Sequence, residues 1–295
     1  MSAAVGEAVR RGKPFHHGRE SVISYPVTAD GVRTRVVEAG SGDNVIVCLH
    51  GAGSRADRWI PAMPGMVDRG FHVFAIDFPG HGFADKGPEL EYTAAAFSRL
   101  VAGVLDALGL SRVTVAGTSL GGHVAARLAC DREDLVANLV LIGSLGLTEF
   151  PEQFMTPPEV VANGSPEGVR RKLSFLVSDP AMVTDAWVRE ESMINTSAGA
   201  AEALLAVARF LNEGTNDDLQ GERLVNLSLD REILLVWGAD DKWTPPEMGH
   251  AARAALPTSQ LVLMDGCGHA PYFEDPDQFV ELLERYFSGQ PLAGA

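Results

Sequence analysis

The sequence predicts an α/β fold: a mostly parallel eight-stranded sheet flanked by helices, with a helical segment inserted into it. Three observations predict it. Short β-rich runs alternate with helical stretches along the chain. The later runs are apolar throughout (VIVCL, VTVAG, LVLI, ILLVW, LVLM), as strands buried on both faces of a parallel sheet are. One long segment between two strand candidates carries only helix signals.

The strand candidates cover residues 22–27, 34–39, 45–49, 72–77, 113–117, 139–142, 233–237 and 261–264. The first two alternate apolar and polar residues and are joined by Ala29-Asp30-Gly31, which predicts an antiparallel hairpin. Helices are expected from Thr93 to Leu108, where Gly109 supplies the C-cap, and over 246–256 and 276–287, each opening on a proline. From about Leu145 to about Asn226 the rhythm breaks. Ser165-Pro166-Glu167, Asp179-Pro180 and Thr196-Ser197 each place a capping residue at an expected helix start. Leu204, Val207, Ala208 and Leu211 make an apolar stripe on the third of these helices. The expected organisation is therefore a leader over 1–20, a core over 21–144 and 227–288, a helical cap over 145–226 and a tail over 289–295.

A chain of 295 residues with 46% hydrophobic side chains can bury a large core. Its 24 Lys and Arg stand against 39 Asp and Glu, a formal net charge of −15, which repels nucleic-acid phosphates and anionic lipid. No apolar run approaches the roughly 18 residues of a membrane span. The N-terminal MSAAVGEAVRRGKPFHHGRE lacks an apolar core and is unlike a signal peptide, so the expected location is cytoplasmic. His16 and His17 within it are too isolated a pair to predict a metal site. Cys48, Cys130 and Cys267 are scattered and odd in number, which suits reduced thiols. Cys267, two residues before His269, reads as a small loop filler because a better nucleophile exists elsewhere.

That nucleophile is Ser119. Gly117-Thr118-Ser119-Leu120-Gly121-Gly122 lies between the strand VTVA and the helix-forming HVAARLAC. A serine flanked by glycines at such a junction sits on a sharp turn, its oxygen exposed at the sheet edge beside a helix N-terminus. His50-Gly51-Ala52-Gly53 follows the strand VIVCL, and its glycines free backbone amides to face an oxyanion. Ala52 and Leu120 are the expected donors, with His50 and Gly51 beside the substrate, although the His50 ring suits a structural bond to the loop. After ILLV comes Trp237-Gly238-Ala239-Asp240-Asp241, where either aspartate suits an imidazole partner. After LVLM, Gly268-His269 puts a base on a glycine-flanked loop. All four pieces fall at C-terminal strand ends, where open α/β sheets place their sites.

From about residue 22 to 287 the chain resembles the α/β-hydrolase superfamily. The residues that carry this are His50-Gly51, Asp77-Phe78-Pro79-Gly80-His81-Gly82, the Ser119 turn, Gly238-Ala239-Asp240-Asp241 with Pro245, and Gly268-His269 with Pro271, Glu274 and Pro276. The order Ser, Asp, His is the one this fold uses. The resemblance implies a Ser119–His269–Asp241 triad, because the family's acid stands third after the strand-end glycine and four before the proline. It implies a cap inserted after the sixth strand, no organic or metal cofactor, and a small molecule as the partner, with a homo-oligomer left open. A serine nucleophile argues against epoxide or haloalkane hydrolysis, for which the family uses aspartate.

The cap text (SPEGVRRKLSFLVSDPAMVTDAWVREE) resembles that of meta-cleavage-product hydrolases, which split a C–C bond in vinylogous 1,5-diketones. Three positions depart from them: Thr118 where asparagine is common, Ala270 where tryptophan is common, and Glu191 near the place of their carboxylate-binding arginine. Either Arg189 takes over that arginine's task or it is lost. The expected function is hydrolysis of a small carboxylic ester or lactone beneath an apolar cap to which Trp187 and Phe175 contribute. C–C hydrolysis of a dienone acid is the near alternative. A non-catalytic binding module and a cofactor-free oxygenase are the rivals from other classes; ester turnover argues against the first, oxygen dependence for the second.

Overall fold

The computed structural model describes residues 22–227, 229–230 and 233–292. The 1–20 leader, with His16 and His17, lies outside them, as does the end of the 289–295 tail. Eight strands form one sheet in the order β1-β2-β4-β3-β5-β6-β7-β8. They are β1 Ile23–Ala29, β2 Val32–Ala39, β3 Asn44–Leu49, β4 Phe71–Ile76, β5 Val113–Thr118, β6 Val136–Ile142, β7 Leu234–Gly238 and β8 Gln260–Met264. β1 and β2 pair antiparallel, and β2 runs antiparallel to β4. Every later pair is parallel. The hairpin follows from its turn: Asp30 and Gly31 both take positive φ (49° and 75°), which matches the twist of two antiparallel strands.

Four of the five apolar runs read from the sequence are central strands, and β5 and β6 are buried along their whole length. The fifth, LVLM, is the edge strand β8, where Leu261 and Leu263 are only half-buried because no further strand pairs beyond it among the described residues. Helices α1 (Met63–Asp68), α2 (Ala94–Leu108) and α3 (Leu120–Asp131) connect the first six strands. Thr93 caps α2 by accepting from the Ala96 amide, and Gly109 ends it in the left-handed region at φ 67°.

Between β6 and β7 the described residues hold only helices: α4 (Pro158–Ala162), α5 (Pro166–Leu176), α6 (Asp185–Asn195), α7 (Ala200–Glu213) and α8 (Gly221–Leu224). Two expected starts need correction. Ser165 does cap α5, accepting from Gly168. Asp179, however, caps only a 3₁₀ turn, and α6 opens at Thr184, whose hydroxyl accepts from the Trp187 amide. Thr196 closes α6 instead of opening α7: its hydroxyl bonds back to the Ser192 carbonyl at 2.7 Å, so it is spent on the preceding turn. The chain then turns through Gly199 at φ 77° before α7.

The last part holds α9 (Pro246–Ala255), α10 (Pro271–Glu274) and α11 (Pro276–Ser288). One apolar layer joins the sheet to α2, α3 and α9, and a second joins its other face to α1 and α11. A small separate cluster of Val169, Leu173, Val177, Val183 and Val188 holds α5 and α6 together. Among the described residues no helix is long and apolar enough to cross a membrane.

Candidate active site

The sheet order reverses between β3 and β5, whose registered ends are Leu49 and Gly117. Chains leaving a parallel sheet diverge at such a point and open a crevice beyond the strand ends. Ser119 stands there, between β5 and α3, with φ 55° and ψ −120°. A side chain in this region is strained, and the strain is held by close packing on both sides. A Cβ at Gly117 would come within 2.2 Å of the Gly121 carbonyl, and one at Gly121 within 2.5 Å of the Leu49 carbonyl. Only glycine lets the turn close. It also brings Gly51 against Ser119, whose Cβ would lie 3.2 Å from a Cβ built on Gly51. The amides of Ala52 and Leu120 find no acceptor among the described residues, whereas Gly122 and His123 already donate to the Ser119 carbonyl.

His269 and Asp241 meet across the loops after β8 and β7. The ring Nδ1 lies 2.7 Å from Asp241 Oδ2, and both side chains are buried. The other carboxylate oxygen, Oδ1, accepts from the amides of Trp243 and Thr244, each at 2.9 Å. The Thr244 hydroxyl stands 2.9 Å from Oδ2, 3.1 Å from the Gly143 carbonyl and 3.2 Å from the imidazole Nδ1. An aspartate tied this way has one orientation, and it fixes the ring's tautomer with Nε2 free to take a proton. Asp240 is exposed, so the two aspartates that the sequence alone left open are separated by geometry.

Ser119, His269, Gly51 and Ala52 line one cavity of about 120 Å³ between the sheet edge and the helical insertion. Several expected members do not. His50 is fully buried, its Nδ1 beside the Gly51 carbonyl and its Nε2 accepting from the Phe78 amide; burial lowers its pKa to about 3. It shapes the loop and does not face the cavity. Arg189 is exposed on the outer side of α6. Trp187 lies outside the cavity as the platform beneath Arg58, whose guanidinium carbon is 4.3 Å from the ring centroid. Phe175 is largely exposed, edge-on to Trp243, and it is Trp243 that lines the cavity. Cys267 is a buried thiol pushed up to about 12 by desolvation and nearby carboxylates, with no part in the cavity.

The lining residues that sequence reading missed include Arg58, Lys172, Asn195, Trp243 and Tyr272, and Glu191, which the likeness set near the place of an arginine, lines the cavity with them. Arg58 joins Glu191 at 3.4 Å, and Arg55 forms a closer pair with the same carboxylate; all three side chains are buried. A signal for two of them did exist. Val188, Glu191, Ser192 and Asn195 are the buried residues of α6, spaced three, four and seven apart, so a polar stripe occupies its inward face.

The family model for the alpha/beta hydrolase fold matches residues 44–276. The chain belongs to this family and is a hydrolase of α/β fold. Among curated relatives, uncharacterized protein Rv2715 of Mycobacterium tuberculosis is 30% identical over 276 residues, covering 88% of this chain and 79% of that one. A 2-hydroxy-6-oxononadienedioate/2-hydroxy-6-oxononatrienedioate hydrolase of a Pseudomonas species is 29% identical over 265 residues, covering 86% of this chain and 91% of that one. A serine hydrolase involved in carbazole degradation superposes with a TM-score of 0.78 at 25% identity, covering 92% of this chain and 100% of that one. The 2-hydroxy-6-oxo-6-phenylhexa-2,4-dienoate hydrolase of a Rhodococcus species shares the fold at a TM-score of 0.81 and 20% identity, covering 91% of this chain and 99% of that one.

Proposed function

We propose that this protein is a serine hydrolase with Ser119 as nucleophile, His269 as base and Asp241 as the orienting acid. We further propose that its substrate is a dienone acid cleaved at a C–C bond. The observation that carries the first part is the buried His269–Asp241 pair, whose imidazole lines one cavity with the strained Ser119. His269 Nε2 takes the Ser119 proton as Oγ adds to a carbonyl carbon, and the Ala52 and Leu120 amides hold the oxyanion. The bond to the departing carbon breaks, and that carbon receives the proton from His269. Water then adds to the acyl enzyme, so that its hydroxyl joins the acyl group and its other proton returns to Ser119.

The C–C substrate is supported by the name of the Pseudomonas relative, a 2-hydroxy-6-oxononadienedioate hydrolase, and by the likeness of the cap. A second reading, a small carboxylic ester or lactone, is favoured by Glu191. This carboxylate lines the cavity near the place where the likeness puts an arginine.

The test follows loss of visible absorbance of a dienone acid beside hydrolysis of short acyl esters and lactones. Decay of the dienone acid, removed by Ser119→Ala by on the order of 10⁴-fold or more, is the expected result. Turnover of esters alone selects the second reading. More than about a tenth of the rate surviving in Ser119→Ala means another nucleophile.

A further inference from the structure

The roof of the cavity holds a cation and an amide whose hydrogen-bonding capacity is not spent on the described residues. Lys172 on α5 lines the cavity and donates from Nζ to the Val161 carbonyl of α4 at 2.7 Å. An ammonium has three protons to give, so two remain. Among the described residues Lys172 forms no ion pair, unlike Arg58, which is paired with Glu191 and faces the rings of Trp187 and Phe273. Asn195, on the inward stripe of α6 one turn beyond Glu191, is only 6% exposed, and its Nδ2 has no hydrogen-bond partner. It too lines the cavity.

A buried amide nitrogen left without an acceptor is costly, and folded proteins rarely keep one without a reason. The lining charges point the same way. Arg58 and Lys172 stand against Glu191, one positive charge in excess, inside a chain whose net charge is −15. A local cation in so acidic a molecule is suited to an anion.

We propose that Lys172 and Asn195 form an oxyanion-holding subsite in the roof, which takes a carboxylate of the substrate remote from its scissile carbonyl. The inference rests on the hydrolase reading above, because it sets one end of the substrate at Ser119. Lys172 supplies charge and Asn195 an N–H donor; both are positioning residues and neither joins the bond-breaking step. Glu191, engaged by Arg55 and Arg58, bounds the subsite and turns a second carboxylate away.

Calorimetric binding to full-length Ser119→Ala of monomethyl adipate, an anion, and dimethyl adipate, its neutral counterpart, tests this without requiring turnover. Preference for the monoester by about tenfold or more is expected, as one partly desolvated charge pair supplies. Lys172→Met should abolish that preference and leave diester affinity within about twofold, Lys172→Arg should retain it, and Asn195→Leu should reduce it severalfold. Equal binding of both ligands, no binding of the monoester at millimolar concentration, or an unchanged preference in a folded Lys172→Met overturns the proposal. Failure of the hydrolase reading looks different: the unaltered enzyme would turn over neither a dienone acid nor any ester while the Lys172-dependent preference persisted.

Discussion

Asp241 accepts from two backbone amides and pairs with the His269 ring, so its direction is set by donors. Asp241→Asn replaces one oxygen with an N–H₂ that faces donors, which favours the wrong imidazole tautomer. Turnover should fall by up to about 10⁴ with circular dichroism unchanged. Asp240→Asn, at an exposed position, should stay within about threefold of the parent; the reverse ranking would move the acid by one residue. Lys172 adds a pH signature. Burial lowers its ammonium to about 8, opposed by Glu191 on α6, the charged group that faces it. KM for an anionic substrate should therefore rise as pH passes through about 8, while a neutral substrate is unaffected. Stability moves the opposite way. The unfolded chain keeps the Lys172 proton up to the ordinary 10.5, so this residue's contribution to stability rises between about 8 and 10.5. Urea midpoints of the parent and Lys172→Met should converge across that window. At this scale the grouping of Ser119, His269 and Asp241 was legible because glycine patterns at strand exits are local. The Arg58–Glu191 contact joins residues 133 apart, and no local pattern announces it.

The β5–Ser119–α3 junction is set by steric limits more than by attraction. Gly121→Ala would drive a methyl into the Leu49 carbonyl, a rigid neighbour. The expected cost is about 1–3 kcal/mol, lowering Tm by about 2–4 °C per kcal/mol, together with loss of activity as the Ala52 loop is displaced. Gly109→Ala is the control: its φ of 67° is also left-handed, but a Cβ there meets nothing within 4 Å. It should cost about 1–2 kcal/mol and leave turnover intact. Scanning calorimetry with kinetics on the two variants separates strain at a site from strain in general. Strands were readable because burial on both faces demands continuous apolar runs, and α2 because Thr93 and Gly109 bracket it. The helices of the insertion were read less well. A threonine can close a helix as readily as open one, and Thr196 does the former.

At the level of the molecule, the sheet edge carries Ser119, His269 and Asp241, the proposed reacting groups, and the inserted helices cover them. Substitutions in the cover should therefore reorder substrates, whereas those at the sheet edge should slow all of them alike. Leu173→Ala, which removes a buried side chain lining the cavity, should raise the relative kcat/KM of bulkier acyl chains in a series of esters; a uniform fall would make the cover a mere support. The eight-stranded, mostly parallel sheet and the long helical insertion were foreseeable from alternation and length; the order of its strands was not. How the insertion sits over the sheet was not, because that depends on contacts between distant segments. One such contact has mechanical weight. Glu274 accepts from the amides of Gly268 and Ala270 beside the base and from Ser178 just past α5, while the His269 amide donates to the Leu176 carbonyl. The cover is thus riveted along one edge to the very loop that aims the imidazole. A lid pinned there cannot lift as a free body without dragging His269 out of line, so opening is expected at the part of the cavity wall not tied to that loop, at Phe154, Thr156 and Val161. In hydrogen exchange, the amides of Ser178 and His269 should be among the slow ones and those of 158–163 among the fast. Comparable rates at both places would mean that the rivet slips, and that the base is re-aimed each time the lid opens.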